Sequence, residues 1–128
     1  MQYLLLIYGN EGAWEEMKDH ERNGHFQAYG KFTQDIKASK HFVAGDALQS
    51  VKTATTVRVR GGKTQTTDGP FAETREQLGG YYLVEAKDLD EATAMAARIP
   101  SARIGCIEVR PVMMYGGMDP NAVLDRST

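Results

Sequence analysis

"YLLLIY", Tyr3 to Tyr8, decides the fold of this chain. All six residues are apolar or aromatic, too few for a helix and without the alternation of a strand that has one wet face. The run therefore predicts a strand covered on both faces. "GYYLVEA", Gly80 to Ala86, behaves alike: Tyr82, Val84 and Ala86 point one way, Tyr81, Leu83 and Glu85 the other. Such strands belong at the centre of a sheet, and they need a layer on each side.

Between and around them lie the covering elements. Ala13 to Arg22 reads as a short polar helix, interrupted at Asn23-Gly24. From His25 to Ser39, Phe26, Tyr29, Phe32, Thr33 and Ile36 recur at three- and four-residue spacing, which predicts the first main helix. "HFVAGDALQS", His41 to Ser50, is a short strand entering a loop. "TATTVRVR" alternates, with Val57 and Val59 on one face, and Gly61-Gly62 predicts a hairpin to Lys63–Thr67. Asp88 caps a second helix, with Glu91 completing a capping box; Leu89, Ala92, Met95, Ala96 and Ile99 form its buried side, and Pro100 ends it. Ile104 to Val112 is the last strand. Residues 1–115 make one domain, and 116–128 a tail whose end frays.

Two helices and an antiparallel sheet make an α+β layer with helices on one face and an extra hairpin. Two helices cover one face only. The other would expose leucine, tyrosine and valine in a patch that demands a partner. A homodimer formed by sheet-to-sheet packing is the economical solution.

The chain has 128 residues, 41 % hydrophobic and 25 % charged, with a formal net charge of −2. That balance gives no electrostatic reason to expect nucleic acid or an acidic membrane as partner. The first residues have no basic leader, and their apolar run is too short to span a membrane. The single cysteine, Cys106, excludes an internal disulfide, fits a reducing cytoplasm, and is expected to be buried as a small apolar residue. No zinc-spaced set, phosphate loop or dinucleotide fingerprint is present, so neither metal nor cofactor is expected.

"DGPFAETREQLGGYYLVEA" (Asp68–Ala86), with "TATTVRVRGGK" before it and "RIPSARIGCIEVRPV" after it, resembles the DGPF proteins, a branch of the YCII-related family. The resemblance implies a ferredoxin-like fold of the dimeric α/β barrel superfamily. It does not imply one reaction, because that superfamily contains isomerases, oxygenases, haem-degrading enzymes and binding modules. Some DGPF relatives are associated with extracytoplasmic-function sigma factors. In the YCII branch, a histidine in the first helix and an aspartate just before the proline after the second helix are proposed as a catalytic pair. Those positions correspond to Tyr29 and Ile99 here, and an isoleucine neither orients nor deprotonates anything.

The candidate residues follow from the motif loop and the helix stripe. Asp68 precedes Gly69-Pro70, and Pro70 has no N–H for the usual Asx turn. Gly69 is pushed toward extended geometry by the proline. The Asp68 carboxylate must then find the N–H of Phe71 or Ala72, Arg75, or a ligand. Phe71 reads as a plug on the core or a ligand contact. Glu73 and Glu76 flank Arg75 in a segment where Thr74 and Gln77 fit one helical turn; paired glutamates there are solvated by default and acid–base groups in the sharper reading. Tyr29 holds the relatives' histidine position, so Asp68, Tyr29 and Glu73 are the catalytic candidates. His41, Arg58, Phe71 and Tyr82 are the candidate ligand contacts. His20 and His25, five residues apart, make poor metal geometry. Two functions follow: a small-molecule-binding protein with cofactor-free isomerase or lyase chemistry, or an accessory module acting through protein contacts, linked to sigma-factor regulation.

Overall fold

The structure, a computed structural model, describes residues 1–113. The expected tail, 116–128, lies outside them. The elements in chain order are β1 (Gln2–Gly9), α1 (Glu11–Glu16), α2 (Asp19–Ala38), β2 (Phe42–Ala47), β3 (Thr55–Arg60), β4 (Lys63–Asp68), β5 (Gln77–Glu85), α3 (Leu89–Arg98) and β6 (Cys106–Pro111). Four strands form one sheet in the order β2-β5-β1-β6, all pairs antiparallel. With β3 and β4 set aside as a separate two-stranded hairpin, this is the ferredoxin-like β-α-β-β-α-β arrangement.

The two double-sided apolar strands sit at the centre, as their composition requires. Leu5 lies opposite Tyr82 on one side and Val109 on the other, and Ile7 opposite Ile107. These side chains meet Phe32 and Ile36 of α2 and Ala92, Met95 and Ala96 of α3; Leu5, Ile36, Val84 and Ile99 are fully buried. Gly45 faces Tyr82 across the β2–β5 pair, where a Cβ would stand 2.8 Å from the ring. A side chain there would push the tyrosine out of the core. Leu89, expected in the core, is exposed at the first residue of α3.

The opposite face carries Leu4, Leu6 and Tyr8 of β1 beside Leu83 and Tyr81 of β5. These side chains are only half-buried. At one rim Tyr81 donates a 2.9 Å hydrogen bond to Asp46; at the other stand Glu108 and Arg110. Neither α2 nor α3 reaches this face.

The helical boundary differs from the expected one. Asn10 caps α1 by accepting from the Ala13 N–H (2.9 Å), the chain breaks at Met17-Lys18, and α2 runs unbroken through Asn23-Gly24. A glycine inside a helix costs only about 1 kcal/mol relative to alanine, which continuous packing outweighs. The anticipated helical turn at Thr74–Gln77 is also absent. Thr74 instead donates to the Glu76 carbonyl, the Gln77 amide returns to the Thr74 carbonyl at 2.6 Å, and the chain runs directly into β5.

Candidate functional site

α2 delivers the site. His25, Tyr29, Phe32 and Ile36 fall on one stripe, and its lower end passes the 3-10 turn Pro100–Arg103 that follows α3. Tyr29 donates a 2.6 Å hydrogen bond to the Ser101 hydroxyl. His25 Nε2 lies 3.2 Å from that same oxygen, and its ring meets the Tyr29 ring edge-on at 5.1 Å. Ser101 has one proton. While accepting from Tyr29, it can donate that proton to His25 Nε2 when the neutral imidazole carries its hydrogen on Nδ1. In that tautomer the chain of donors runs from Tyr29 to Ser101 to His25.

Burial sets the protonation states. Desolvation lowers the His25 pKa below its ordinary value, so the ring is an uncharged base at neutral pH. Desolvation raises the Tyr29 pKa, opposed in part by its bond to Ser101, so the phenol stays protonated. A neutral base and a retained donor share one hydroxyl. That pairing suits proton transfer in which His25 takes the proton and becomes an imidazolium while the hydroxyls remain donors.

The walls are aromatic. Trp14 of α1 packs on His25 at 5.2 Å and on Phe26 at 5.4 Å. Arg22 holds α1 in place, donating at 3.1 Å to the carbonyls of Trp14 and Glu15 and pairing with Asp19 at 2.6 Å. Next to the cluster, Ala28, Phe32 and Pro100 line an open groove of about 180 Å³. Lys31, Arg98 and Arg103 stand at its rim with one carboxylate, Asp35, so the groove favours an anion.

Of the sequence candidates, only Tyr29 belongs here, and its partner is Ser101 rather than Ile99, which is buried in the core. Asp68 ends β4 opposite Thr55, exposed, and its carboxylate has no partner among the described residues. The local turn is made by Gly69, which takes φ 101° instead of the extended geometry expected; its N–H donates to Ala54 and its carbonyl accepts from Thr56. Glu73 is exposed and touches neither Asp68 nor Tyr29. Phe71 is 79 % exposed and plugs nothing.

The four expected ligand contacts do not converge. Tyr82 is buried, its hydroxyl 2.6 Å from Thr33; Arg58 points to solvent from the hairpin. His41 sits elsewhere, between Ser39 (2.7 Å from Nδ1) and Glu91 (3.2 Å from Nε2), at an open cleft of about 300 Å³. Glu91 also accepts the Lys87 N–H, which is the main cause of its lowered pKa, so this pair ties β2 to the start of α3. Cys106, expected inside, is exposed at the edge of β6, with Glu76 3.7 Å from its sulfur. Desolvation and Glu76 raise its pKa, which keeps it a thiol. No three potential metal ligands cluster among the described residues.

His25 and Ser101 were the residues the sequence concealed. His25 is one turn before Tyr29 on the same stripe, a usable signal. Ser101 is a serine after a proline in a turn, and nothing local distinguishes it.

The YCII-related domain matches residues 1–115. This chain belongs to the YCII-related family. A family relative from Rhizobium meliloti (strain 1021), itself an uncharacterised protein, is 36 % identical over 122 residues, which cover 90 % of this chain and 94 % of the relative. Among solved structures, the YCII-related chain is similar to the 5-chloro-2-hydroxyhydroquinone dehydrochlorinase TftG of Burkholderia phenoliruptrix AC1100 in complex with 2,5-dihydroxybenzoquinone. The TM-score is 0.53 at 16 % identity, covering 93 % of this chain and 100 % of that one. At that identity the likeness is one of fold, and it agrees with the α+β architecture.

Proposed function

We propose that this YCII-related protein binds a small anionic organic molecule beside Ser101 and moves a proton on it, as an isomerase or lyase that needs no cofactor. The observation that carries the reading is the single Ser101 hydroxyl shared by His25 and Tyr29. A substrate with an acidic sp3 C–H next to a carbonyl, as in an enolisable ketone or the keto tautomer of a hydroxyquinone, would give that proton to neutral His25 Nε2. The electron pair left on carbon moves onto the carbonyl oxygen, and the Ser101 hydroxyl, released once His25 Nε2 is protonated, donates to the oxyanion while Tyr29 goes on donating to Ser101. Return of the proton at another carbon is isomerisation; departure of an anionic group with its electron pair is elimination. The groove cations Lys31, Arg98 and Arg103 supply attraction for an ionised substrate oxygen. TftG, which shares the fold, is a dehydrochlorinase, and its dihydroxybenzoquinone ligand is a molecule of this class.

The test is solvent deuterium uptake by a panel of hydroxyquinones and enolisable keto acids, followed by NMR. Replacement of the base typically costs ~10²–10⁴-fold, so His25→Gln should abolish measurable exchange while Tyr29→Phe reduces it. Full exchange in a folded His25→Gln protein would sink the reading.

The active unit in this reading is a homodimer in the cytoplasm. Leu4, Leu6, Tyr8, Tyr81 and Leu83 form one apolar strip with charged rims, which a second copy would cover by sheet-to-sheet packing. A reducing compartment fits the lone thiol. Among the described residues, no helix is long and apolar enough to cross a membrane. The alternative, an accessory module that works through protein contacts, such as a sigma-factor regulator, draws on one observation: the exposed hairpin with Phe71 at its base.

A further inference from the structure

The β3–β4 hairpin is an arm with nothing to lie on among the described residues of its own chain. Of residues 55–68, only Thr56 is even half-buried. Val57 and Val59 share one face with Thr64 and Thr66 opposite them, and are 59 % and 58 % exposed. A lone two-stranded hairpin is marginal in water, because it buries no apolar face. The arm's root, however, is fixed. The Glu11 carboxylate accepts from the Ser50 hydroxyl (2.8 Å) and the Val51 N–H (3.0 Å), the Glu11 N–H donates to Gln77, and Asn10 donates to the Arg75 carbonyl. A root this well held, on an arm this bare, points to a surface outside the chain.

Charge identifies that surface. The arm carries Arg58, Arg60 and Lys63 toward its Gly61-Gly62 tip and a single carboxylate, Asp68, at its base. The segment from α1 into α2 has the opposite balance: Glu11, Glu15, Glu16, Asp19 and Glu21 against Lys18 and Arg22, the last paired with Asp19. Glu15, Glu16 and Glu21 are exposed, and beside them Phe26 is 61 % exposed against Trp14. The same chain thus holds a basic apolar arm and an acidic apolar seat. Strands rise about 3.3 Å per residue, so the six-residue arm carries its tip about 20 Å from a root already beside its own Glu11. A twofold dimer offers each arm the other copy's seat, and the two contacts are equivalent.

We propose that the two copies exchange arms, each β3–β4 hairpin docking on the α1–α2 segment of the other chain. This rests on the homodimer of the preceding section and goes beyond it. The seat includes Trp14, the wall of His25, so each arm roofs the other copy's Tyr29–Ser101–His25 cluster and the site is complete only in the dimer.

The experiment uses cysteine pairs in a Cys106→Ser background. Chains carrying Arg60→Cys are mixed with differently tagged chains carrying Glu16→Cys, equilibrated and oxidised. The expected product is a disulfide-linked heterodimer, with little linkage in either variant alone. Separately, Arg58→Glu with Arg60→Glu should raise the dimer dissociation constant about tenfold or more, and Glu15→Lys with Glu16→Lys should restore it, since paired charge reversal tests complementarity directly. A chain with both cysteines that links only to itself overturns the exchange. A stable dimer whose arm cysteines stay free also overturns it while leaving the dimer intact, and favours another partner for the arm. A monomer in sedimentation removes both the exchange and the homodimer on which it rests.

Discussion

β1 and β3 are both strands with an apolar side, yet one side is gone from solvent and the other stands in it. Tyr3, Leu5 and Ile7 are buried beneath α2 and α3, whereas Val57 and Val59 are each more than half exposed. β1 is apolar on both faces and β3 on one, but between the two sides compared the difference is the layer above. For β1 the chain supplies two amphipathic helices. For β3 the described residues supply none, and a second copy is the candidate cover. Periodicity therefore says which residues share a face, and a covering layer says whether that face is core.

The contrast can be broken most sharply by truncation. Leu5→Ala removes a fully buried side chain and should cost about 2–5 kcal/mol in urea unfolding. Val57→Ala with Val59→Ala, in a chain kept monomeric, should change stability by less than about 0.5 kcal/mol per site, as exposed positions do. Equal losses would mean that the arm packs on its own chain. Next in size, Leu6→Asp places a charge at the centre of the open sheet face. It should convert the dimer to monomer in sedimentation velocity while the far-ultraviolet circular dichroism keeps its helical signal.

A smaller effect comes from His25. Its folded pKa lies below the unfolded one, so in the interval between them the unfolded chain binds more protons. His25 thus favours folding fully above about pH 6.5, and that contribution falls as pH drops through the folded pKa. His25→Gln should flatten the acid limb of stability against pH; an unchanged limb would contradict the burial of the ring. Smallest of all, Asp68→Asn should leave the melting temperature unchanged, because the exposed carboxylate has no partner to lose. A clear drop would show that the aspartate holds the motif turn after all.

The sheet was legible because "YLLLIY" and "YYLV" have no polar side, a property few environments satisfy. The α3 start was legible for a local reason: Asp88 accepts the Glu91 N–H at 2.9 Å within four residues of chain. Asn23-Gly24 misled for the complementary reason, since a local breaker was overruled by packing of the whole α2 stripe. Phe71 and Cys106 misled because an apolar residue does not announce whether anything covers it. The site was half visible. Tyr29 follows from the stripe, and His25 one turn earlier follows from the same rule, but Ser101 is joined to them only by the docking of α2 against the turn after α3. A contact across 72 residues leaves no mark in local pattern.

The most direct test is nitrogen NMR of the His25 imidazole, titrated with and without 2,5-dihydroxybenzoquinone. At neutral pH the ring should be the uncharged tautomer with hydrogen on Nδ1, titrating below about 6.5. The quinone should shift its resonances and leave those of His20 in place, and Ser101→Ala should weaken that response. A charged His25 at neutral pH, with resonances indifferent to both the quinone and Ser101, would contradict the account.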